Sequence, residues 1–121
     1  AALREWKPLA NQGNIVAQSN LGVMYDRGLG VQQNFKTAAR WYRRAAEQGS
    51  ADAQTVLASM YKLGKGVPED HKEAVKWYIL GAEHGNQFAQ LHLGWMYALG
   101  QGVSQNYKTA LKPINSKKFL I

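Results

Sequence analysis

A few groups in this sequence have residue types that could do chemistry. Gly28-Leu29-Gly30, inside LGVMYDRGLGV at 21–31, has the G-x-G spacing with which many phosphate-cradling loops begin. His71, His84 and His92 are the only histidines, and Glu47 and Glu83 are the carboxylates best placed for paired acid–base work. Lys36, Arg40, Arg43 and Arg44 gather on one side of a helical stretch, and Lys72 and Lys76 repeat part of that pattern. Lysine plus arginine number 15 against 8 acidic residues, a formal net charge of +7, which favours acidic partners or surfaces without choosing among them.

Most of these groups fail the test of context. A phosphate loop needs a strand before its glycines and a helix directly after them, with a lysine and a serine or threonine at fixed spacing. Here a helical pattern precedes Gly28, and that lysine and serine are missing. No histidine has a partner at the H-x-x-x-H spacing of a metal site. Glu47 and Glu83 fall near helix ends, where a solvated or lysine-paired carboxylate is the usual case, and no serine has a base beside it. With no cysteine there is no thiolate nucleophile or ligand. The expectation is a chain without catalytic residues, metal or cofactor.

The organisation that positions these residues is a repeat. Ala-Gln recurs at 17-18, 53-54 and 89-90, leucine at 21, 57 and 93, and Met-Tyr at 24-25, 60-61 and 96-97, a period of 36. Such self-similarity is the mark of a stacked array and outranks any single motif. The units are 17–52, 53–88 and a partial 89–112, preceded by a half unit at 1–16 and followed by a divergent tail at 113–121. The whole is one domain. Within a unit, Ala17, Leu21, Met24 and Tyr25 follow helical spacing over about 15–27, and a second helix over about 35–48 turns Ala38, Trp41, Tyr42 and Ala45 inward. Asn34, Asp70 and Asn106 form a column of N-caps, and Gly49 and Gly85 a column of left-handed stops. Pro8 should kink the first helix or mark its true start, and Pro113 should end the last one.

The pattern A-Q-x-x-L-G-x-M-Y-x-x-G-x-G-V followed by K-x-A-x-x-W-Y-x-x-A-A-E-x-G resembles the Sel-like repeat, a relative of the tetratricopeptide repeat, over residues 1 to about 112. The resemblance implies an all-α fold, a right-handed superhelical solenoid of antiparallel helix pairs with about seven helices. First helices would line a concave face and second helices a convex one. It also implies an adaptor or scaffold role in protein complexes, without chemistry of its own. Two positions depart from the pattern: Ala58 stands where the other units have Gly22 and Gly94, and Pro113 falls on the column of Trp41 and Trp77.

If first helices line the groove, its open positions are Val16, Ser19, Val23 and Asp26, then Asp52, Thr55, Ser59 and Lys62, then Phe88, Leu91, Trp95 and Ala98. Apolar clusters on an open groove commonly mark partner sites. Phe88, Leu91 and Trp95 are therefore the expected anchors for a protein or peptide, with Ser59 and Lys62 as polar neighbours. The other occupant of that face is the chain's own Phe119, Leu120 and Ile121, folded back on itself or swapped into a second copy as a homodimer.

The alternative surface is the basic face of Lys36, Arg40, Arg43, Arg44, Lys72 and Lys76, facing nucleic acid or an acidic partner. Nucleic acid is the disfavoured partner, because no exposed aromatics interleave with these charges as single-strand binders require. No apolar run approaches the roughly 20 residues of a transmembrane helix. The opening Ala1, without a methionine, leaves room for a removed leader and so for cytoplasm, periplasm or secretion; a piece of a longer array is equally compatible. Removal of residues 114–121 separates the occupants of the α-helical face: an unchanged melting temperature and Trp95 fluorescence would exclude the tail as its cover.

Overall fold

The computed structural model describes residues 2–106, and within them every regular element is a helix. Five helix starts use one device: Asn14, Asn34, Ser50, Asp70 and Asn86 hold extended backbone and accept, through a side-chain oxygen, the N–H three residues on at 2.9–3.2 Å. Each thus satisfies a donor that the first helical turn leaves open. The helices are α1 (Ala2–Asn11), α2 (Ile15–Arg27), α3 (Phe35–Glu47), α4 (Ala51–Leu63), α5 (His71–Glu83) and α6 (Gln87–Leu99). The seventh expected helix, beyond the cap at Asn106, lies outside the described residues.

The glycine pairs close helices. Gly28 caps α2 in the left-handed region at φ 68°, and its N–H and that of Leu29 both donate to the Met24 carbonyl. Backbone donors that a phosphate loop would aim at its ligand are here committed to a helix end. The second glycine of each later pair has a further reason: a Cβ at Gly66 would collide with the Phe35 carbonyl, and one at Gly102 with that of His71. The loop lies directly on the start of the preceding unit's second helix, and only glycine allows that approach.

Each helix packs on its neighbours in the chain, and the array has the order of a solenoid. The larger core joins α3, α4, α5 and α6 through Tyr42, Leu57, Trp77, Tyr78, Leu93 and Met96 and a set of alanines that let helices approach closely. A smaller one joins α1 to α2 through Ala10, Ala17, Leu21 and Met24. Trp41 was expected inside, yet it is only half-buried and packs at the edge of this smaller core, whereas Trp77, one unit on, is buried. The neighbours differ: Arg43 and Lys76 lie over the Trp77 ring, whereas Arg44 lies over that of Trp41. Pro8 does not mark a helix start either, because α1 runs through it. It stands exposed, on the side where water can serve the Arg4 carbonyl that loses its helical donor.

The joints between units are polar. Gln18 Nε2 donates to the Ala10 carbonyl at 3.0 Å, Gln54 Nε2 to Ala46 at 3.0 Å and Gln90 Nε2 to Ala82 at 3.5 Å, each reaching from a first helix to the end of the second helix before it. The glutamine oxygens are held in turn, Gln18 by Gln48 at 2.7 Å and Gln54 by His84 Nδ1 at 3.0 Å. Gln48 and His84 are the same column of the repeat. Truncating Gln54 to alanine removes two hydrogen bonds and leaves a buried gap, and should cost about 1–3 kcal/mol in chemical denaturation. Gln18→Ala should match it, while Gln90→Ala, with the longer bond in a half-buried site, should cost less; equal losses at all three would disprove this ordering.

Candidate functional site

The helices α2, α4 and α6 share one face, and along it opens a cleft of about 390 Å³. Asp26 comes from the end of α2, Asp52, Thr55, Ser59 and Leu63 from α4, and Phe88 and His92 from α6. The spacing i, i+3, i+7, i+11 of the α4 residues, and i, i+4 of the α6 residues, is what puts each set on one side of its helix. Asp26 is held by Lys65 at 3.2 Å, and Asp52 by the Asn86 side chain at 2.9 Å. His92 stacks on Tyr78, centroids 5.4 Å apart and planes within 20°. Burial first, and the nearby Lys62 second, lower the His92 pKa below its ordinary 6.5. The Tyr78 hydroxyl is buried beside Ser59 without reaching hydrogen-bond geometry, and burial raises its pKa.

Of the residues expected to bind a partner, Phe88 and Ser59 line this cleft, and Lys62 stands next to it beside His92. Phe88, Leu91 and Trp95 are all exposed, at 70%, 46% and 56%. Leu91 and Trp95 are not among the cleft-lining residues; they continue the apolar strip of α6 beyond it, toward the equally exposed Leu99. Its spacing gives His92 no metal partner, but its position four residues after Phe88 puts it on the same helical face.

The basic residues do not form one uniform ladder. Lys36, Arg40 and Lys72 are exposed. Arg43 turns inward: its guanidinium donates to the Tyr61 hydroxyl and lies over the Tyr61 and Trp77 rings at 5.5 and 6.0 Å. Lys76 approaches Glu73 at 3.9 Å and the Trp77 ring at 5.5 Å, and Arg44 lies 4.8 Å over Trp41. Much of this charge shields aromatic rings. The tail residues Phe119, Leu120 and Ile121 lie outside the described residues, and no described helix is long and apolar enough to cross a membrane.

Stacked helix pairs with capped starts, glycine-closed ends and a recurring joint define a helical repeat scaffold. The Sel1 repeat model matches residues 15–50, 51–86 and 87–112, and the chain belongs to the Sel1 repeat family. Proteins of this family are generally protein-interaction scaffolds. Among solved structures, a Sel1 repeat protein from Oxalobacter formigenes is 44% identical with a TM-score of 0.80, the match covering 83% of this chain and 41% of that one. The protective antigen c5321 of uropathogenic Escherichia coli, which has an SLR fold, is 40% identical with a TM-score of 0.84 over 87% of this chain and 22% of its own. This chain therefore spans less than half the length of either. Cysteine rich protein B of Helicobacter pylori shares the fold, with a TM-score of 0.69 at 22% identity over 98% of this chain and 89% of that one. No curated protein matches the chain significantly.

The lowered pKa of His92 sets a pH dependence. Unfolded, the imidazole takes up its proton near 6.5; folded, it does so only at lower pH, so acidification below 6.5 favours the unfolded chain. Stability should be fully present above that value and fall as pH drops through the window beneath it. Denaturation midpoints at pH 7.5 and 5.5 should differ less for His92→Gln than for the parent chain, and equal differences would sink the assignment.

Proposed function

We propose that this chain is a non-catalytic recognition module that binds an extended segment of a partner protein in the cleft along α2, α4 and α6. The observation that carries this is Phe88. A large aromatic side chain stands 70% exposed at the mouth of a cleft whose other walls offer hydroxyl, carboxylate, amide and imidazole groups. An aromatic anchor flanked by convergent polar groups is the composition of a peptide site. Ser59 and His92 supply donors and acceptors in the cleft, and Lys62 adds a charge at its edge. Leu91 and Trp95 extend the apolar surface along α6 for a longer partner segment. The scaffold role of the family supports the same reading.

Phe88 is outside the core, so its truncation should spare the fold. A peptide selected from a random library on the parent chain and measured by fluorescence anisotropy should bind Phe88→Ala roughly thirtyfold more weakly, a loss of about 2 kcal/mol. Ser59→Ala should give a smaller loss. Selected peptides that bind Phe88→Ala as tightly as the parent would place recognition elsewhere and overturn the proposal.

A further inference from the structure

The position of a second site follows from comparing one joint of the array with its copy 36 residues on. Between α1, α2 and α3 lies a cleft of about 290 Å³ whose charged lining is Lys7, Arg40 and Arg44, with Asn11 and Thr37 as neutral polar groups and Tyr25 and Trp41 as aromatic walls. The repeat maps Lys7 and Arg40 onto Arg43 and Lys76, Asn11 and Thr37 onto Glu47 and Glu73, and Arg44 onto Leu80. The copy therefore carries two cations and two carboxylates, and the first joint three cations and no carboxylate. In the copy the cations are also engaged: Arg43 folds over Tyr61 and Trp77, and Lys76 turns to Glu73. In the first joint no described carboxylate lies within ion-pair distance of Lys7, Arg40 or Arg44. Arg44 is positioned by the Trp41 ring at 4.8 Å and by long bonds to the Ala10 carbonyl and Asn11 Oδ1 at 3.4 and 3.5 Å, which leave other guanidinium donors available.

We propose that this cleft is an oxyanion site, taking the phosphoryl or carboxylate group of a ligand between Lys7, Arg40 and Arg44. Three cations brought to one concavity repel each other until an anion enters, and a planar guanidinium braced on an indole is preorganised to meet it with paired N–H donors. The Thr37 hydroxyl adds a neutral donor in the first turn of α3, at the positive end of that helix. The site shares no lining residue with the α2, α4 and α6 cleft and stands or falls independently of it.

The test uses the repeat's own substitution. Thr37→Glu places a carboxylate where the copy has Glu73, three residues after the cap at Asn34, a position where glutamate favours a helix start. The full chain is titrated with sodium phosphate and, separately, sodium acetate, at ionic strength held constant with chloride, following the Thr37 amide and Trp41 indole N–H signals by NMR. Saturable shifts are expected, weakened at least tenfold in Thr37→Glu and in Arg40→Gln with no loss of melting temperature, and unchanged in Phe88→Ala. Tighter saturation by phosphate assigns a phosphoryl ligand, and tighter saturation by acetate a carboxylate. Shifts that never saturate with either anion, or an affinity unaltered by Thr37→Glu, would overturn the site.

Discussion

The side-chain amide of Gln54 is the interaction on which the stacking of units depends. Helix ends leave backbone carbonyls short of partners, and here the end of one unit is buried by the start of the next, where water cannot serve. Gln54 reaches from α4 to the Ala46 carbonyl of α3, while its oxygen meets His84 at the C-terminal cap of α5. One side chain thus ties three helices across two units. A small rotation of α4 against α3 would break the bond to Ala46, so the joint fixes the angle at which each pair follows the last. Alanines at Ala45, Ala46, Ala53 and Ala82 let the backbones come close enough for that reach, and larger residues there would part the helices beyond it.

Much of this architecture was legible in the sequence because it rests on short-range chemistry. Caps act within three residues, glycine stops within one, and the apolar stripe within a turn, so Asn34, Gly28 and the Leu21–Met24 stripe announce themselves. The Ala-Gln column was visible as a pattern, but its meaning was not. A glutamine inside a helix ordinarily points to water, and only the packing of the preceding unit shows that this one is buried and bonded. Trp41 misled for the same reason, since its column in a complete unit is interior. What covers a residue is decided by the neighbouring unit, whose contribution at α1 is Lys7 where Arg43 stands in the copy. Pro8 obeyed its chemistry, yet exposure let a helix absorb it.

A repeat array separates two kinds of position. Columns that pack the joint stay alike or keep the same hydrogen bond, as Gln48 and His84 do; columns that face outward are free to differ. The informative comparison is therefore between copies, position by position. Glu47 and Glu73 neutralise one joint, while Asn11 and Thr37 leave the preceding one cationic. Asp52 and Phe88 occupy one column of the cleft with opposite chemistry.

The same comparison separates the residues of the α6 strip. Val16, Asp52 and Phe88 form a column that is exposed in all three units, so Phe88 owes its exposure to the geometry of the fold. Leu91 and Trp95 belong to different columns. Their counterparts in the second unit meet its own second helix: a Cβ added at Gly81 would press on the Thr55 hydroxyl, and Ser59 lies beside Tyr78. In the third unit the matching positions lie outside the described residues. A residue on such a column is open to a partner only where its own second helix leaves it open, whereas Phe88 stands on a column whose other members, Val16 and Asp52, are exposed beside complete second helices. This is why Phe88, and neither Leu91 nor Trp95, is the position through which the proposed recognition by the cleft is best judged.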